Sequence, residues 1–102
     1  MLFRRLKDIS KALGPDTPLV LHGTHPVSDE LFHKAMDRGV AKINLNRNVR
    51  DDYTAFMGQE YSRHELTTLK EKAVQVYATS IARAMDMLGS SGKAPQLEKS
   101  EA

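Results

Sequence analysis

The chain has 102 residues, with 15 Lys plus Arg against 13 Asp plus Glu and a formal charge of +2. These charges are dispersed through helical segments, which excludes the basic footprint of a nucleic-acid partner. The absence of cysteine excludes disulfides, thiolate metal sites and a thiol nucleophile, favours a cytoplasmic location, and leaves imidazole and carboxylate as the strong ligands. No apolar run approaches the ~20 residues needed to cross a bilayer, so no membrane partner is expected.

In chain order, a helix is predicted over Leu2 to Leu13, because Phe3, Leu6, Ile9 and Leu13 recur at helical spacing as a core-facing stripe and Gly14-Pro15 follows as a stop. Its start, Met1 to Lys7, is basic and amphipathic like a mitochondrial targeting segment, an alternative that Asp8 and the lack of Ser enrichment weigh against. Leu19-Val20-Leu21 reads as a strand stopping at His22-Gly23. Ser28 is placed to cap the next helix, with Asp29 and Glu30 in its first turn and Val27 placed to pack on Phe32. That helix presents Leu31, Phe32, Ala35 and Met36 and ends at Arg38-Gly39. A second strand, Val40 to Ile43, stops at Asn44-Leu45-Asn46-Arg47-Asn48.

Beyond it a helix is predicted from Val49 to Met57, broken near Gly58. A longer one runs from Glu65 to Leu88, with Leu66, Leu69, Ala73, Val76, Tyr77, Ile81, Ala84 and Leu88 on one face. From Gly89 onward the composition turns to Ser, Gly, Lys, Pro, Gln and Glu, which predicts a domain over 1–88 and a flexible tail over 89–102.

A strand–helix–strand unit with parallel strands brings both C-terminal strand ends to one sheet edge, where α/β folds carry their chemistry. His22 and Asn44 are therefore predicted neighbours. Two strands leave both outer edges unpaired, so the chain reads as a piece of something larger. The end of a (β/α)8 barrel and one end of an open doubly wound sheet both fit. Taken residue by residue, a His at a strand end also serves as a satisfied polar group, and Asn-rich strand ends also simply make turns. His33 and His64 read as surface residues.

The words Leu19-Val20-Leu21-His22-Gly23 and Gly39-Val40-Ala41-Lys42-Ile43-Asn44-Leu45-Asn46, with Val27-Ser28-Asp29-Glu30 between them, resemble the closing part of class II, zinc-dependent fructose-bisphosphate aldolases over roughly residues 3 to 88. The resemblance implies the C-terminal part of a TIM (β/α)8 barrel and reversible cleavage of a ketose bisphosphate into dihydroxyacetone phosphate and an aldehyde. It maps one of three zinc histidines onto His22, and substrate binding onto Gly23, Thr24, Asn44, Asn46 and Arg47. Zn²⁺ then acts as a Lewis acid on the ketose carbonyl, with a monovalent cation as a second candidate ion. The implied partners are a phosphorylated sugar and, for the whole barrel, further copies of the same protein.

The chain departs from the family pattern in two places. His25 and Pro26 stand where the phosphate loop has small residues, and proline removes a backbone donor. Arg47 and Asn48 stand where a hydroxyl residue and a carboxylate are usual, although arginine binds phosphate bidentately. His25 is placed to meet a phosphate as imidazolium or to face solvent. The other two zinc histidines and the proton-shuttling aspartate belong upstream of the matched region, so this chain alone is expected to be inactive. The rival reading is a non-catalytic remnant of the barrel that binds phosphate or a partner.

Overall fold

The computed structural model describes residues 2–101, and the exposure of residues 4–100. The chain divides into two compact units, residues 1–46 and 47–102.

The first unit is α/β. Helix α1 (Leu2–Leu13) stops where Gly14, at φ 83°, donates its N–H to Ser10 O at 3.1 Å. The predicted stripe is rotated: Ile9 and Leu13 are 46% and 47% exposed, while Leu6, Ser10 and Gly14 are half-buried. The contact face thus follows an i, i+4 row through Ser10, because Gly39 leaves that hydroxyl room. A Cβ at Gly39 would collide with Ser10 Oγ, and the φ of 105° there already favours glycine. The side chain of Phe3, the first member of that stripe, lies outside the described residues.

Strand β1 (Leu19–Leu21) and helix α2 (Asp29–Asp37) match their predicted positions. The Ser28 hydroxyl accepts the Leu31 N–H at 3.3 Å, satisfying one of the orphan donors of the helix start. Phe32 and Ala35 are buried at 1% and 3% exposure, whereas Leu31 lies at the margin of the packed face. Gly39 N–H then bonds Met36 O at 3.2 Å and turns the chain into β2 (Val40–Ile43).

Strands β1 and β2 pair in parallel with Leu19 opposite Val40, Val20 opposite Lys42 and Leu21 opposite Ile43. The register slips once, between Leu19 and Val20, where β2 carries Ala41 as an extra residue. The slip lies at the entry of the strands. Their exits are level, and Asn44 N–H continues the ladder onto Leu21 O at 3.0 Å.

The second unit is helical. Helix α3 (Arg47–Glu60) begins before the predicted Val49 and runs through Gly58 without a break. Gly58 lacks a positive φ, and its cost of about 1 kcal/mol relative to alanine is one a packed helix absorbs. Helix α4 (Leu66–Leu88) closes at Gly89, φ 75°, with Gly89 N–H on Asp86 O and Ser90 N–H on Met85 O.

These two helices pack through Val49, Leu69, Ala73 and Ala84, with Tyr53 and Tyr77 edge to face at 5.6 Å and 77°. The predicted face of α4 is corrected at two positions. Leu66 is 68% exposed at the first turn, and buried Ser80 takes a place in the contact, its hydroxyl donating to Asp52 Oδ2 at 3.3 Å. His64 is half-buried rather than on the surface, with Nε2 at 3.1 Å from Glu60 Oε2 one turn earlier. In the region where composition predicts a tail, Ala94–Glu101 form helix α5, and residues 89–100 are all exposed. Among the described residues no helix is long and apolar enough to cross a membrane.

Candidate active-site rim

The rim is built by the two strand exits. Because Leu21 and Ile43 are paired and Asn44 extends the ladder, His22 and Asn44 leave the sheet side by side. Asn44 Nδ2 lies 3.1 Å from His22 Nδ1, so the neighbours predicted from strand order do meet. The His22 ring is otherwise open to solvent and Asn44 is half-buried.

The pair has a definite chemistry. When the amide donates to Nδ1, the neutral ring carries its proton on Nε2; a half-turn of the carboxamide makes Oδ1 the acceptor of an Nδ1 proton and leaves the Nε2 lone pair available. A carboxamide thus orients the imidazole in either tautomer and brings no charge to the site. Nε2 is the position from which such a ring ligates a metal while its other nitrogen is held, as metal-bound histidines are.

Thr24, to which the resemblance assigns substrate binding, also makes a structural contact. Its hydroxyl donates to Asn44 O at 2.8 Å, and the residue is 5% exposed, so the hydroxyl faces the end of β2 and not solvent. Sequence reasoning had no signal for this beyond the identity of a β-branched hydroxyl residue three positions after the strand. Gly23, at φ 63°, makes the left-handed turn that swings Thr24 back under the rim. Asn46 is exposed at the end of the same unit. His25 is exposed, and the peptide between it and Pro26 is cis.

Arg47 belongs to the second unit, where it opens α3 and its guanidinium lies 3.6 Å from the Asp51 carboxylate one turn later. Among the described residues no group of three His, Cys, Asp or Glu side chains forms a metal cage. The donor set of the rim is one oriented imidazole, which fits one corner of a zinc site and requires further ligands from other strands.

A parallel α/β unit with its polar chemistry at the strand exits defines the class. Residues 1–93 match the family described as fructose-bisphosphate aldolase class-II, and the chain belongs to that family. A protein of Coccidioides immitis (strain RS) assigned by name to fructose-bisphosphate aldolase is 38% identical over 92 residues, covering 90% of this chain and 30% of that protein. A solved structure of a Coccidioides immitis protein assigned to fructose-1,6-bisphosphate aldolase superposes with a TM-score of 0.84 at 38% identity, over 91% of this chain and 35% of that one. The YdjI aldolase from Escherichia coli K12 superposes with a TM-score of 0.80 at 25% identity, over 90% of this chain and 34% of that one. This chain therefore spans about a third of the length of the relatives it matches.

Proposed function

We propose that this chain is the C-terminal part of a class II aldolase barrel and serves the reversible aldol cleavage of fructose 1,6-bisphosphate to dihydroxyacetone phosphate and glyceraldehyde 3-phosphate. The observation that carries this reading is the His22–Asn44 contact at two level, parallel strand exits in a chain of that family. His22 supplies one zinc ligand through the ring nitrogen that Asn44 leaves outward. When bound, the zinc supplies Lewis-acid polarisation of the ketose carbonyl.

The chain's own residues orient and bind. Asn44 fixes the imidazole plane and offers its carboxamide to a triose hydroxyl, and the exposed backbone at Gly23 and the Asn46 amide offer neutral donors to the phosphorylated end of the substrate. The remaining zinc ligands and the proton-shuttling carboxylate come from other strands of the barrel, so the chain by itself is expected to be inactive.

The test joins this chain to the upstream strands of a class II relative and measures zinc content and fructose 1,6-bisphosphate cleavage. One zinc per barrel and cleavage are expected, with both lost in His22→Ala and cleavage lost after chelation of the metal. A folded barrel that binds neither zinc nor substrate would instead identify the chain as a non-catalytic remnant.

A further inference from the structure

Asn44 is held at three points by three of the four consecutive residues 21–24. Its N–H bonds Leu21 O at 3.0 Å, its side chain meets His22 Nδ1 at 3.1 Å, and its carbonyl accepts from the Thr24 hydroxyl at 2.8 Å. The first of these continues the sheet and follows from the register. The other two lie beyond the last strand pair, where the backbone has no ladder left to hold it.

We propose that Thr24 is a positioning residue: its hydroxyl, by fixing the Asn44 carbonyl, sets the Asn44 carboxamide against the His22 ring and closes the loop after β1 onto the end of β2. This inference rests on the reading above, in which the orientation of His22 matters because the ring takes a zinc ion.

The physical argument runs through the peptide group of Asn44. Rotation about its backbone would swing the carboxamide off the ring, and both its N–H and its C=O are pinned against that rotation by the strand before the loop and the loop itself. Thr24 suits the task because its branched Cβ restricts the hydroxyl to few rotamers. Its burial at 5% exposure shelters the donating hydroxyl from water. Gly23 makes the return possible, since its φ of 63° lies where a side chain is strained.

The experiment uses the full chain, isotopically labelled, and reads nuclear Overhauser contacts between the Asn44 side-chain amide protons and the His22 ring. They are expected in the unmutated protein, lost in Thr24→Val and retained in Thr24→Ser. Valine keeps the branched shape without the hydroxyl, so that pattern assigns the effect to the hydrogen bond and not to packing. Contacts that persist in Thr24→Val overturn the proposal, as does their absence from the unmutated chain.

If Thr24→Val does not fold, exchange of the Thr24 hydroxyl proton with water in the unmutated chain decides: slow exchange supports the clasp and fast exchange overturns it. Zinc chloride added to the barrel completed with the upstream strands of a class II relative reads the metal assignment separately. A shift of the His22 ring signals is expected there, and an unresponsive ring removes the zinc reading while leaving the clasp standing.

Discussion

Residues 1–46 and 47–102 differ in what fixes their structure: the first unit is specified by backbone hydrogen bonds at a parallel pair and its caps, the second by side chains meeting along two helices. Around the strands Phe32 is, among the described residues, the one large side chain fully buried, and Ala35 and Val40 complete the buried apolar residues of that unit. The α3–α4 pair distributes its burial over Val49, Leu69, Ala73, Ser80 and Ala84, none of them large enough to dominate. The lesson is that the site-bearing unit concentrates its stability in few groups, whereas the helical one spreads it.

Mutations can break or sharpen this contrast. Phe32→Ala should cost about 3–5 kcal/mol, the range for deleting a buried aromatic, and denaturant unfolding with amide exchange should show the loss confined to residues 1–46. Gly39→Ala comes next at about 1–3 kcal/mol, since the added Cβ meets Ser10 Oγ and the positive φ is strained. The companion variant Gly39→Ala with Ser10→Gly should recover part of that loss in the same unfolding assay.

In the helical unit, Ser80→Ala should cost only about 1 kcal/mol, because it removes one hydrogen bond to a carboxylate that water can reach. A cost as large as that of Phe32→Ala would contradict the distributed core. Smallest is His22→Ala, expected to change the unfolding midpoint by the equivalent of less than about 0.5 kcal/mol, as for exposed positions generally. The same variant is nevertheless expected to abolish zinc binding in the completed barrel. Stability and chemistry are thus separable at the rim.

Much of this arrangement was legible in the residues. Both strands, the Ser28 cap and the glycine stops at Gly14 and Gly39 follow from local rules that the structure obeys. The meeting of His22 with Asn44 followed from topology alone, since parallel pairing leaves two exits no other relation. What escaped was non-local. The rotation of α1 depends on a missing Cβ at Gly39, far along the chain, and periodicity within α1 has no access to it. Ser80 entered the α3–α4 contact because Asp52 waits opposite, which an apolar stripe cannot register. Gly58 reads locally as a breaker, but α3 runs through it, since a cost of about 1 kcal/mol is small against the packing of the helix as a whole. The hydroxyl of Thr24 turned inward for a partner twenty positions away.

The slip in strand register has its own consequence for how such chains vary in length. Because the extra residue, Ala41, sits at the entry of β2, one more or one fewer residue in the turn before Val40 can be taken up there while the exits stay level. A residue inserted between Lys42 and Asn44 has no such buffer and would send the carboxamide to the opposite side of the sheet, away from the imidazole. Length polymorphism should accordingly disturb the rim less at the entry of the strand than just inside its far end.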